Sequence, residues 1–313
     1  MKNLLNSNFE KRIFLMLAGV AIVAFTSNEN AFSQEIPGTK IESSAAELLK
    51  KHEILEPQLM KNIYHRPLVF ESQESDQKVS SAVYAILNSP FSVVSTTFKN
   101  ADLWCEVLIL HLNTKYCKSN QEPMNPAKLV VNIGKKTPQR LEDTFSLEFS
   151  HRVIAQTPQY LGVALHADKG PLNTTDYQLE LRAIPLPEGK TFINLRYSYG
   201  YGMAGKLAMQ TYLSTLGRGK FGFSQLTSQE NPGYVGGMRG AVERNTMRYY
   251  LAIEAYLASL KQSSLKATET KFQYWFDATE EYAPQLREMD RLTYLSMKKN
   301  EYYRQQNTPL SSR

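Results

Sequence analysis

The 313-residue chain is short of the residues that most enzymes and nucleic-acid binders advertise. It has two cysteines, two tryptophans and five histidines. No HExxH, CxxC or GxSxG is present, so zinc hydrolase, redox and nucleophile-elbow chemistries have no motif here, and no metal site is expected. Dense basic runs are missing too: Lys50-Lys51, Lys135-Lys136 and Lys298-Lys299 are the only lysine doublets in the body of the chain. A net charge of +6 spread this thinly does not make a nucleic-acid-binding stripe, although a weak attraction to an anionic membrane surface is compatible with it. No uninterrupted apolar run reaches the length of a membrane span.

The start of the chain has a definite layout. Lys2, Lys11 and Arg12 precede an uncharged apolar run from Ile13 to Phe25, and a polar stretch ends in Ala31-Phe32-Ser33. Positive start, short apolar core and small residues at the cleavage positions are the pattern of a secretory signal peptide, with the mature chain starting near Gln34. An uncleaved anchor is the alternative. Export, most simply to a periplasm, places Cys105 and Cys117 in oxidising surroundings, where an isolated pair is expected to form one disulfide.

Residues 34–64 make an arm and a short helix, capped by Ser43 and ending before Pro57. Lys78–Leu87 is expected to be a first strand, and Asn88-Ser89-Pro90 a helix start with Ser89 as cap. Five segments then alternate apolar and polar residues. They centre on Leu129/Val131/Ile133, Phe145/Leu147/Phe149, Leu161/Val163/Leu165, Tyr177/Leu179/Leu181 and Leu195/Tyr197/Tyr199. Period-two patterning of this kind predicts antiparallel strands with one face in water. A helix is expected over Met203–Leu216, one more strand over Phe221–Leu226, and the strongest helix over Gly240–Lys261. In that last helix Val242, Tyr249, Ile253, Leu257 and Leu260 form one stripe, with Glu243, Arg244, Arg248 and Glu254 on a solvated face. Residues 263–313 read as a helical appendage.

This order, a curved antiparallel meander from Leu129 to Tyr199 followed by the long helix Val242 to Leu260, resembles the START-like superfamily (SRPBCC, helix-grip). The resemblance covers residues 65–262. The chain is also similar to exported proteobacterial proteins of unassigned role, in the segments Gly170-Pro171-Leu172-Asn173-Thr174-Thr175-Asp176-Tyr177 and Glu243-Arg244-Asn245-Thr246-Met247-Arg248-Tyr249-Tyr250. The resemblance implies an α+β fold, a curved antiparallel sheet gripping a long C-terminal helix, with a cavity between them for an apolar molecule or lipid. It implies no particular ligand.

Candidate site residues follow from phase. Leu161, Val163, Leu165, Tyr177, Leu179, Leu181, Leu195, Tyr197 and Tyr199 share the inward phase of the strands. Tyr249, Tyr250, Ile253 and Leu257 lie on the covering helix. Tyrosines suit a mostly apolar pocket that needs a few oriented hydrogen bonds, and equally suit an ordinary packed core. Gly200-Tyr201-Gly202-Met203-Ala204-Gly205 matches GxGxxG, but the strand before it carries Asn194, Arg196 and Ser198 in alternation. A nucleotide-binding first strand is apolar on both faces, so no cofactor is expected and the glycines read as a tight strand-to-helix turn. His151 and His166 fall on adjacent strands. Asp176, Arg182 and Arg196 share the polar phase, facing either a ligand carboxylate or each other. Arg218, Lys220, Arg244 and Arg248 could gather to clamp an anionic head. No residue set declares a reaction. The reading is thus an exported binding protein for a lipid or other apolar molecule. The alternative is an envelope interaction protein with a solid core, docking a partner through an exposed apolar patch on residues 270–303.

Overall fold

The computed structural model describes residues 37–120, 127–215, 217–226 and 233–307. The expected signal segment lies outside them. No described helix is long and apolar enough to cross a membrane.

Eight strands form one antiparallel sheet: β1 (Leu68–Glu74), β2 (Lys78–Leu87), β3 (Thr114–Asn120), β4 (Lys128–Ile133), β5 (Phe145–Thr157), β6 (Tyr160–Lys169), β7 (Thr174–Leu186) and β8 (Lys190–Tyr201). Their order is β1-β2-β8-β7-β6-β5-β4-β3. A six-strand meander therefore closes against a separate N-terminal hairpin, which the sequence reading supplied only as β2. The β7–β8 turn falls where Pro187-Glu188-Gly189-Lys190 predicts it. Glu188 (φ 59°) and Gly189 (φ 66°) both take the left-handed conformation that tight hairpin turns require.

Helix α1 (Pro37–Met60) runs through Pro57 rather than stopping before it. In the last turn a missing proline N–H costs only one terminal bond. The next two helices, α2 (Phe91–Phe98) and α3 (Ala101–Leu108), fill the β2–β3 connection. Pro90, not Ser89, occupies the N-cap of α2, and the Ser89 carbonyl instead accepts the Thr191 hydroxyl at 2.7 Å. Residues 221–226 give only the two-residue strand β9 (Gln225–Leu226), paired with β10 (Gly233–Tyr234). The backbone N–H groups of Phe223 and Ser224 are spent on the Glu243 carboxylate, at 2.6 and 2.9 Å, and so cannot extend a ladder.

The inner face of the sheet is covered by α5 (Gly237–Ser259), flanked by α4 (Met203–Ser214). The expectation of one apolar stripe and one solvated face on α5 fails. Glu243, Arg244 and Arg248 are all buried, because α6 (Ser264–Glu280) packs on the side away from the sheet. A helix enclosed on two sides needs partners for its charges. Glu243 also accepts hydroxyls of Ser72 and Ser224, Arg248 pairs with Glu288 at 2.8 Å, and Glu254 with Arg66 at 2.7 Å. Leu260 is the C-cap and lies exposed.

The chain ends in α7 (Ala283–Leu286) and α8 (Arg291–Asn307). Phe272, Trp275, Phe276, Tyr282, Leu286, Tyr294 and Met297 are buried in the common core. The apolar patch expected on 270–303 is therefore not exposed; Leu292 and Tyr303 stand out singly. Helix α8 also covers the free edge of β3. Gln305 accepts the Cys117 N–H at 3.0 Å, and Arg304 donates to the Lys115 carbonyl at 2.7 Å. Cys105 and Cys117 form the expected disulfide, tying α3 to β3.

The outer face is less wet than alternation suggests. Phe192, Ile184, Tyr160 and Ala155 fall outward and meet Leu48, Leu55 and Leu59 of α1 in a second small core. The rest of that face is polar.

Candidate functional site

The candidate pocket residues of the strands share the inner face. Leu161, Val163, Leu165, Leu179, Leu181 and Leu195 are buried in one core with Ile253 and Leu257 of α5. Here the space between sheet and helix is filled by side chains.

The tyrosines stand apart at the end of the sheet where β8 passes into α4. Register sets Leu179 opposite Tyr197 and Ala167 opposite Tyr177. Tyr177 stacks on Tyr199 with ring centres 5.3 Å apart, and Tyr197 lies 5.8 Å from Tyr199. Tyr249 of α5 closes on Tyr197 edge to face at 5.3 Å. The other face of Tyr249 carries the His111 ring at 4.9 Å. Tyr250 turns a different way: its hydroxyl donates to Glu254 at 2.6 Å, beside Arg66.

Tyr177 and Tyr249 retain accessible surface although Met247, Arg248, Tyr250 and Leu251 around Tyr249 on the helix are buried. The Tyr177 hydroxyl is engaged with Thr174 at 2.8 Å. Those of Tyr197, Tyr199 and Tyr249 meet no hydrogen-bond partner among the described residues, and none of the three is sealed from water-sized space. Burial holds all three phenols well above the usual tyrosine range, so they are neutral donors. Ser81, opposite Tyr197 on β2, has a buried Oγ without a partner. The result is an aromatic cluster with several uncommitted hydroxyls. Half-buried Met209 and Leu213 of α4 pack against the same core.

The loop holding His111 was not singled out from sequence, since a lone histidine after a helix carries no spacing signal. His111 is buried. Its Nδ1 accepts the Asn113 N–H at 3.1 Å, which leaves the proton on Nε2, with the Asn245 side chain beside the ring. Burial, with Arg248, Lys298 and Lys136 nearby, pushes the imidazole well below its ordinary value, so the ring is neutral.

Other candidates separate. His151 faces inward, beneath the Phe98 carbonyl at 3.4 Å, while His166 faces outward against Asp176 at 3.2 Å; adjacent strands place them on opposite faces. Asp176 binds Lys78 at 2.9 Å on that outer face. Arg182 and Arg196 line shallow polar grooves there, the larger about 290 Å³, together with Glu180 and Gln73. They do not reach the tyrosine cluster. Of the GxGxxG glycines, Gly200 and Gly205 are tight: a β-carbon at Gly200 would stand 3.0 Å from the Thr175 hydroxyl, and one at Gly205 3.2–3.3 Å from the carbonyls of Asn173 and Leu172, so Gly205 lets α4 sit on that loop. Among the described residues no group of His, Cys, Asp and Glu side chains is placed to hold a metal.

No protein-family model matches the chain. No curated protein matches it. Among solved structures it is similar to norcoclaurine synthase from Thalictrum flavum, at 12% identity and a TM-score of 0.34, over 46% of this chain and 91% of that one. It is similar to human StAR-related lipid transfer protein 5 at 10% identity and a TM-score of 0.30, over 55% and 90%. The human StarD13 lipid transfer and protein localization domain matches at 11% identity and a TM-score of 0.29, over 50% and 88%.

Proposed function

We propose that this chain is an exported binding protein of the START-like kind, which holds a lipid or other apolar molecule in the recess bounded by Tyr177, Tyr197, Tyr199 and Tyr249. One observation carries the reading. The neutral hydroxyls of Tyr197, Tyr199 and Tyr249 belong to one aromatic cluster between sheet and helix, and the fold gives none of them a hydrogen-bond partner among the described residues. A packed core tolerates few such groups, because each uncompensated hydroxyl costs about 1–3 kcal/mol. A bound molecule or ordered water would meet that need. Export is supported by the sequence layout of residues 1–33 and by the pairing of Cys105 with Cys117. The alternative, partner docking through the C-terminal helices, loses its main support because their apolar faces are used internally.

The test is native mass spectrometry of the protein purified without detergent, beside Ala167→Phe. Ala167 is buried opposite Tyr177, on the floor of the recess. If the space is a ligand site, the wild type carries an extractable apolar molecule or takes one up, and the added ring excludes it with little loss of thermal stability. If the space is solid core, the wild type carries nothing and Ala167→Phe unfolds early from overpacking.

A further inference from the structure

The outer face of the sheet carries charged residues that strand phase singled out and that the tyrosines do not use. Two grooves of about 290 and 110 Å³ lie there. Gln73, Ser80, Glu180 and Arg196 line both, so the grooves adjoin as one furrow across β1, β2, β8 and β7. Register accounts for the trough. Ala82 stands opposite Arg196, and Arg196 opposite Glu180. In the next row Ser80 and Gln178 flank Ser198. Short side chains on β2 and β8 thus lie between longer ones on the same face. Apart from Ala82 and Tyr84, every lining residue is polar. The furrow is therefore unsuited to the apolar molecule assigned to the other face.

Most charges in the furrow are matched. Lys78 pairs with Asp176 at 2.9 Å, and Glu71 with Lys51 at 2.6 Å. Glu180 stands 3.7 Å from Arg182. Glu74, at one end, alternates along β1 with Gln73 and acts on the Tyr199 phenol of the inner side. Arg196 is the exception. It is exposed, lines both grooves, and has neither an ion pair nor a hydrogen bond among the described residues, although Glu180 is its cross-strand neighbour. The side chains of Gln73, Ser80 and Ser198 make no hydrogen bond among the described residues either. Asn194, opposite Arg182, has an amide nitrogen without a partner. Gln178 donates to Asp176 at 2.8 Å, which leaves its Oε1 to accept. These polar groups are not spent on holding the fold together. An unpaired guanidinium offers a carboxylate two parallel N–H bonds, and amides and hydroxyls that both donate and accept match hydroxyl groups.

We propose that this furrow is a second binding site, for a polyhydroxylated carboxylate of the acidic-sugar type, whose carboxylate pairs with Arg196 while its hydroxyls reach Gln73, Ser80, Gln178 and Ser198. The site is independent of the tyrosines, which lie on the opposite face of the sheet.

The experiment is a chemical-shift titration of the isotope-labelled protein with galacturonate and glucuronate, beside galactose and glucose, which lack the carboxylate, and propionate, which lacks the hydroxyls. At least one uronate is expected to bind about tenfold more tightly than its neutral sugar and than propionate, with shifts confined to β1, β2, β7 and β8. In Arg196→Gln that uronate should bind no more tightly than the neutral sugar. The variant should unfold at the wild-type temperature, because the side chain it replaces is exposed and unpaired. Ala82→Leu, which fills the trough beside Arg196, should weaken uronate and neutral sugar together. Neutral sugars bound as tightly as the uronates would overturn the role of Arg196. Propionate bound as tightly would overturn the role of the hydroxyls. Absence of saturable shifts with every probe, or shifts centred elsewhere, would overturn the site and leave the tyrosine reading untouched.

Discussion

The ring of Tyr177 lies against Gly170, where a β-carbon has no room. Gly170 follows β6 and leads into the Pro171–Asn173 turn, so a glycine in the connection seats the fourth residue of the next strand. That contact fixes the ring which stacks on Tyr199. Gly170→Ala must move the Tyr177 ring or the turn. Its expected signature is a large loss of ligand affinity with a loss of stability of about 1–3 kcal/mol, set by local repacking. Dye titration and urea unfolding on one preparation check both, and unchanged affinity would separate Tyr177 from the site.

Among the described residues Glu301 is the sole carboxylate paired with the buried ammonium groups of Lys115 and Lys298, and Lys298 also donates to the carbonyls of His111 and Thr114 at 2.6 and 2.8 Å. Glu301→Gln leaves both lysines buried without a counter-charge. The expected cost is about 3–5 kcal/mol by urea unfolding. Because α8 shields the β3 edge through Arg304 and Gln305, the variant should also aggregate sooner on warming. A cost below about 1 kcal/mol would mean that this helix is not docked as described.

Reduction of Cys105–Cys117, or Cys105→Ala with Cys117→Ala, should lower stability by about 3 kcal/mol, since a short loop is released. Unfolding with and without reductant measures this. The ligand site should survive, because the bridge joins α3 to the edge strand β3, while the tyrosines lie on β7, β8 and α5.

The pH dependence follows from His111. Its folded value is depressed, so between that value and about 6.5 the unfolded chain binds the additional proton. Its contribution is therefore intact above pH 6.5 and is lost as pH falls below it. His151, also depressed by burial, acts in the same direction. Between pH 7.5 and 5.5 the wild type should lose roughly 1 kcal/mol more stability than His111→Gln. Equal losses would show that the His111 ring is not held neutral.

Most of the sheet was legible because its strands are amphipathic in strict alternation. What escaped was whatever alternation does not encode. Phe192 and Ile184 sit on the polar phase because α1 covers them, a long-range contact with no local mark. Glu243, Arg244 and Arg248 looked like surface charge. Their burial depends on α6 packing across α5, and on partners such as Glu288 that lie far along the chain. For the site, the phase of Tyr177, Tyr197 and Tyr199 was readable, as was Tyr249 on the covering helix. That Tyr249 joins them while Tyr250 turns to Glu254 is decided by about 100° of helical rotation. His111 was invisible, since its place in the site comes from the Tyr249 ring it stacks on.

The central claim is that the four tyrosines bound a ligand site. Crystals grown with a long-chain alcohol carrying bromine on its chain test it most directly, at a concentration that saturates binding in solution. The account predicts an anomalous bromine peak among Tyr177, Tyr197, Tyr199 and Tyr249. Saturable binding with no peak there, or with a peak only in the polar grooves around Arg182 and Arg196, would contradict it.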